Sequence, residues 1–308
     1  MLTIRKDRSI VQIGLEGATR MYQLLKYIFA SILMLAVAVG GWIPARAQTR
    51  GAQKAPAPRT ADGHPDFSGV WFPGVVPDPD HYGLSVEEHR TFDPKVTPQE
   101  PPSFQRWAVE KRKLMGDFEL ISPGLQCRPR GALGFGLGAV YPIGIVQTPS
   151  QFVLLSEQET TYRVIYTDGR PHQRNPEPQF NGDSTAHWEG DTLVVDVVGL
   201  ETQMWIPGAG GWFASDALHV TERWRRPDAN TMIYEATIED PKVLTKPWKS
   251  VPRTFTFAPG KRLFEGYCIQ NRDFEELNPE AKIPRTPEGN DERFFDEQEY
   301  QRMRKQYP

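Results

Sequence analysis

From Ile145 to Ile269 the chain repeats one pattern: runs of four to eight residues with apolar side chains at alternate positions, parted by turn-forming residues. A period of two fits a pleated strand and not a helix. It predicts strands at Ile145–Thr148, Gln151–Glu157, Tyr162–Thr167, Thr185–Trp188, Thr192–Val198, Leu218–Arg225, Met232–Glu239, Arg253–Phe257 and Leu263–Ile269. Asp168-Gly169, Gly190-Asp191, Pro227-Asp228-Ala229-Asn230 and Pro259-Gly260 supply the turns. Short connections make successive strands antiparallel neighbours. So many strands leave exposed edges unless the sheet closes. The expectation is therefore an all-β domain over 65–275, an antiparallel meander closed into a lipocalin-like barrel. A two-sheet β-sandwich is the alternative.

Upstream, Phe67–Phe72 reads as the first strand, and 73–144 as an irregular arm rich in Pro and Gly. Its one helical stretch is Phe104–Met115, where Phe104, Trp107, Ala108, Lys111 and Met115 fall near one face. The GFGLG run at 134–138 lacks the Lys-Ser/Thr ending of a phosphate loop. Residues 276–308 read as a charged surface tail with a short terminal helix.

Before the domain, Lys26 precedes an apolar run from Tyr27 to Trp42, then Pro44 and Ala45-Arg46-Ala47. This is the pattern of an export signal over 1–47, cleaved after Ala47. An uncleaved anchor is the alternative. Met21 is a second candidate start, with 1–20 upstream of the signal proper. Residues 48–64 read as a flexible spacer. The expected location is periplasmic or secreted, with no stable membrane span once the signal is removed.

Residues 1–47 hold six basic and two acidic side chains; without them 30 basic and 37 acidic residues remain, a net charge of −7. That balance argues against nucleic acid and anionic lipid as partners. The only cysteines, Cys127 and Cys268, are an even pair in an oxidising compartment and are expected to form a disulfide. Two separate buried thiols are the alternative.

Three hairpins carry candidate chemistry. Across the two-residue Gly190-Asp191 turn, Trp188 faces Leu193 and Ala186 faces Val195, giving one apolar side. The other side holds Thr185, His187, Glu189, Val194 and Asp196, with His187 and Asp196 as diagonal neighbours. An imidazole beside a carboxylate suits proton transfer near neutral pH; a solvent-facing His is the plain alternative. In 218–239, Glu222 sits in a row with Leu218, Val220 and Trp224, facing Met232, Tyr234, Ala236 and Ile238. A carboxylate there is either paired with a barrel Arg or holds its proton. In 151–166, a three-residue loop puts Phe152, Leu154, Tyr162, Val164 and Tyr166 on one side. It leaves Glu157 diagonal to Arg163 on the other.

The remaining histidine, serine and tryptophan patterns single out no further chemistry. The six histidines (His64, His81, His89, His172, His187, His219) show no HxH or HExxH spacing, so no metal is expected. No GxSxG elbow occurs, and Ser184 lies three residues from His187, on the opposite face of the strand. Trp71, Trp188, Trp205, Trp212, Trp224 and Trp248 fall in or beside strands, as core or as cavity lining.

The blocks PDFSGVW (65–71), IVQTP (145–149), YTDGRPH (166–172), GDSTAHWEGDTLVVD (182–196), LHVTERWRR (218–226) and IEDPKVLTKPW (238–248) resemble a large family of exported, mostly uncharacterised bacterial proteins. The resemblance spans most of 65–270 and implies export and an all-β domain, with no activity attached. Two positions depart from it. Ala186 stands where many relatives have Gly, and CIQNR (268–272) stands where many have a CHEGN-like block. Roles of that block's His and Glu therefore do not transfer, although Cys268 matches.

Together these readings give an exported barrel enzyme of lyase, dehydratase or isomerase type, using neither metal nor cofactor. Its catalytic candidates are His187, Glu222 and Asp196. Its partner is a small, largely apolar organic molecule, met by Trp188, Trp224, Tyr234, Tyr162, Arg163 and Glu157. A non-catalytic small-molecule carrier with the same cavity is the alternative.

Overall fold

The computed structural model describes residues 55–73, 101–114, 124, 127–207, 212–268, 285, 289, 291 and 293–308. The export signal, its cleavage site and the first residues of the spacer lie outside the described residues. In chain order the elements are β1 (Gly69–Pro73), α1 (Arg106–Leu114), β2 (Ile143–Gln147), β3 (Gln151–Ser156), β4 (Thr161–Tyr166), β5 (Asp183–Glu189), β6 (Thr192–Val198), β7 (Trp205–Ile206), β8 (Trp212–Phe213), β9 (His219–Asp228), β10 (Thr231–Glu239), β11 (Trp248–Lys249), β12 (Arg253–Phe257) and α2 (Glu297–Gln306).

Nine strands close into a barrel in the order β1-β2-β3-β4-β5-β6-β9-β10-β12, with β12 returning to β1. The small β11 adds to β10 outside the ring. Eight contacts in the ring are antiparallel, but β4 and β5 run parallel, paired at Tyr166 and Thr185. An odd-numbered ring cannot alternate direction throughout, so a parallel contact is a geometric necessity. It falls where residues 167–182 carry the chain from one end of the barrel to the other. A parallel pair requires such a crossover, and the Asp168-Gly169 turn is therefore not a hairpin turn.

Alternation drives closure. In β9 and β10 every second residue is buried. Val220, Glu222, Trp224, Met232, Tyr234, Ala236 and Ile238 point inward with Trp71, Phe152, Leu154, Leu193, Val195 and Phe255. The rings of Trp224 and Tyr234 meet edge-on at 4.6 Å, with Phe152 and Phe255 around Trp224. Aromatic side chains thus fill the interior. Burial of one large side chain contributes roughly 1.5–3 kcal/mol.

The Gly-rich arm completes the interior. Ala132, Leu133 and Phe135 are buried in a short 3-10 turn. A Cβ on Gly136 would stand 2.2 Å from Cζ of Tyr234, so only glycine lets the backbone lie against that ring. This part of the irregular arm packs on the barrel core.

Residues 261–268 form no strand, contrary to the expectation for Leu263–Ile269. Closure of β12 on β1 leaves no edge there to receive one. The segment lies on the outer wall instead: Leu263 packs on Gly144, and the Phe264 N–H donates to the Glu157 carboxylate at 3.1 Å.

Outside the wall, α1 packs on α2. Trp107 is enclosed by Phe213, Phe295 and Tyr300. Lys111, fully buried, bonds the Glu299 carboxylate and the Phe294 carbonyl. The expected terminal helix forms, with Asp296 capping it through the Glu299 N–H at 2.8 Å. It is docked and not a solvated tail. Cys127 and Cys268 are joined in a disulfide that closes a 141-residue separation. Among the described residues no helix is long and apolar enough to cross a membrane.

Candidate functional site

Two polar groups stand out, one on each side of the barrel wall.

The inner group centres on Glu222, which is 0% exposed. Its Oε1 accepts from the Tyr234 hydroxyl at 2.8 Å, and its Oε2 lies 2.7 Å from Nη2 of Arg163. That guanidinium N–H is not aligned on Oε2, so the contact is ionic without being a full hydrogen bond. Arg163 is held further by Ser184 Oγ, at 3.2 and 3.0 Å, and by the Ala132 carbonyl at 3.2 Å. Burial, then the Glu222 charge and hydrogen bond, push the Tyr234 phenol well above its usual range. These groups form a buried ion pair among aromatic side chains, in which Glu222 Oε2 and the indole N–H of Trp224 are without a hydrogen-bond partner.

The outer group is a row of alternating carboxylates and imidazoles across four strands and the crossover. Asp183 Oδ2 lies 3.1 Å from His172 Nδ1, and His172 Nε2 lies 2.9 Å from Asp196 Oδ2. Asp196 Oδ1 lies 2.5 Å from His219 Nε2, and His219 Nδ1 lies 3.0 Å from Glu239 Oε2. One carboxylate thus joins two imidazoles, and a further carboxylate backs each ring. Strand register explains much of this placement. Thr185, Asp196 and Thr221 are cross-strand partners, and His219 sits directly opposite Glu239. His172 arrives from the crossover, where its Nε2 also meets the Thr185 hydroxyl at 3.3 Å.

Electrostatics tune the row. Burial works to lower the His219 pKa, but the hydrogen bond and charge of Asp196, then those of Glu239, outweigh it and raise it. Burial likewise pushes Asp196 upward, and the bonds from His219 and His172 overcome that and hold it below the usual carboxylate range. The side chain of Asp196 is 41% exposed, so solvent reaches the row. Among the described residues no three His, Cys, Asp or Glu side chains are grouped to hold a metal ion.

The sequence-expected residues divide between these places. Glu222, Arg163, Tyr234 and Trp224 meet inside, and Asp196 stands outside. His187 shares the outer face, as the hairpin register required, but its Nε2 contacts Glu189 at 3.4 Å and its side chain is 64% exposed. The expected His187–Asp196 pairing is not made, because His172 and His219 occupy both Asp196 oxygens. The Glu157–Arg163 pairing also fails. The β3–β4 loop spans four residues, not three, so Arg163 pairs with Leu154 and turns inward. Tyr162 then faces out, 65% exposed, instead of lining a cavity. Trp188 lies at the wall's end, stacked on His64 at 4.3 Å.

A separate depression of about 500 Å³ lies outside the barrel, lined by Pro101, Glu235, Pro247, Trp248, Lys249 and Pro252 among others. No family model matches the chain, and a search of curated proteins returns no significant match.

Proposed function

We propose that this chain is an exported enzyme that moves protons on a small organic molecule, with lyase, dehydratase or isomerase chemistry, at the outer row of the barrel. What supports the reading is one observation: the Asp196 carboxylate lies between two imidazole Nε2 atoms, each ring backed by its own carboxylate. Asp183 and Glu239 accept the Nδ1 protons and fix ring orientation. Each Nε2 is then the acid–base atom, and Asp196 is the carboxylate that shares or accepts the proton. The threonine hydroxyls of β5 and β9 border the row and offer hydrogen bonds to a polar group of the substrate. Export is supported by the apolar N-terminal run and by the disulfide.

Glu222 has no place in this mechanism. It is closed to solvent and neutralised by Arg163, so no substrate atom reaches it without opening the core. His187 has none either, because it contacts neither Asp196 nor the other two rings.

The experiment follows proton exchange without knowing the product. The mature protein is incubated in D2O with a panel of hydroxy acids, keto compounds and terpenoid alcohols, and loss of C–H signal is read by NMR. Catalysed exchange is expected with one class, reduced about 100-fold or more in Asp196→Asn, the scale of a lost acid–base group. Exchange that survives Asp196→Asn, His172→Gln and His219→Gln alike would remove the row from the chemistry.

The alternative of non-catalytic binding draws on a different feature. The depression beside β11 lies in the size range of small-molecule pockets and carries Trp248 and three prolines. Ligand retained by Asp196→Asn but lost by Trp248→Ala would favour that reading.

A further inference from the structure

The crossover 167–182 is fastened at its two ends by backbone bonds. Thr167 N–H donates to Ser150 at 3.0 Å, and Gln179 N–H donates to Gly199 at 3.0 Å. Between those points, side-chain chemistry ties it to the barrel. His172 reaches Asp183 on β5 and Asp196 on β6, and the Gln173 N–H donates to Asp183 at 2.7 Å. Arg170 does not compete: it pairs with Asp168 in its own turn and stacks over Tyr166.

A neutral imidazole carries one N–H, so it can donate to only one of two carboxylates. His172 faces a carboxylate at each nitrogen, and so does His219, whose partners are Asp196 on β6 and Glu239 on β10. Both rings complete their contacts only with two protons each. In the neutral form, one bare nitrogen of each ring is set against a carboxylate oxygen. For His172 the loss falls on the middle of the crossover, where backbone bonds are not available to replace it.

We propose that the Asp183–His172–Asp196–His219–Glu239 row is a proton-operated latch that closes the crossover over the outer site at low pH and releases it as pH rises. Release takes His172 off Asp196 and frees its Nε2, together with Asp196 and His219, to meet a substrate. The latch is a regulation of the site proposed above and rests on that reading only for its consequence for turnover. The raised pKa of His219 agrees with its direction, because a group bound more tightly to its proton in the closed form gives that proton up on opening.

The test is hydrogen–deuterium exchange of the full mature chain from pH 5.5 to 8.5, corrected for the intrinsic pH dependence of amide exchange. Peptides covering 168–178 are compared with peptides covering β9 and β10. The expected result is loss of protection in 168–178 with rising pH, by up to about tenfold per pH unit for each proton released, with β9 and β10 unchanged. In Asp196→Asn the crossover is expected to exchange fast at every pH. Should that variant lose protection in β9 and β10 as well, His172→Gln decides, since it leaves Asp196 with His219 and changes no residue of β9 or β10. Corrected exchange in the wild type that is flat across the range, or wild-type pH dependence retained in His172→Gln, would overturn the latch. A flat crossover with C–H exchange still dependent on Asp196 sinks the latch alone; a pH-gated crossover without catalysis sinks the enzyme reading alone.

Discussion

At the residue scale, the same side chain type does opposite work on the two sides of the wall. Glu222 is inside and paired with Arg163, so it belongs to the fold. Glu222→Gln leaves the guanidinium buried without its counter-charge and is expected to cost about 3–5 kcal/mol, read from urea unfolding midpoints. A loss under 1 kcal/mol would show that the pair carries little stability. Asp196 and His219 are outside, and each is shifted by the other: the imidazole upward, the carboxylate downward. His219 has a folded pKa raised above its unfolded value. Its contribution is therefore complete below about pH 6.5 and fades as pH rises through the raised value. Asp196 has a lowered pKa, so its contribution is present above about pH 3.9 and is lost as pH falls through the lowered value. Stability of the wild type relative to His219→Gln should accordingly be greatest between those limits and converge above them. Convergence at acid pH and divergence at alkaline pH would reverse the assignment.

At the element scale, loop length decided what could be read ahead of the structure. The Gly190-Asp191 turn has two residues, with Gly190 at φ 59°, and that fixes β5 against β6 residue by residue. The faces of Asp196, His187 and Trp188 followed from it. The β3–β4 loop has four residues, and one residue of difference moves each side chain of a strand to the other face. Arg163 and Tyr162 exchanged sides for that reason, and the partner of Glu222 was left open between a barrel Arg and a retained proton. His172 was out of reach altogether. It lies in a crossover with no periodicity, and the YTDGRPH block marked its position without its direction. The Gly-rich arm was similarly opaque, because its role depends on the ring of Tyr234 about 100 residues later. Gly136→Ala forces a Cβ into that ring and is expected to lower stability by about 1–3 kcal/mol in thermal or urea unfolding. An unchanged midpoint would mean that the arm yields freely and does not complete the core.

At the scale of the whole molecule, alternation and turn chemistry carried the barrel, but closure replaced two expectations. It made one pair of neighbours parallel, and it left residues 261–268 lying on the wall instead of joining it. Aromatic side chains pack around Glu222 and Arg163 inside, and the carboxylate–imidazole row stands on the outer face. The Cys127–Cys268 bridge ties the Gly-rich arm to the segment after β12. On the chain-entropy model a loop of this length contributes about 4–5 kcal/mol. Reduction should therefore lower the melting temperature without abolishing strand structure in circular dichroism. A reduced protein with an unshifted melting temperature would contradict that.

The central claim is that Asp196 is the shared partner of two imidazoles, and that it holds the proton on His219. It is tested most directly by a 15N-histidine NMR titration of the mature protein, reading both ring nitrogens of His219. The account predicts both nitrogens protonated at pH 6.5, a midpoint above that of a free imidazole, and a downward shift of the midpoint in Asp196→Asn. A neutral ring at pH 6.5 with a midpoint that ignores Asp196→Asn would contradict it.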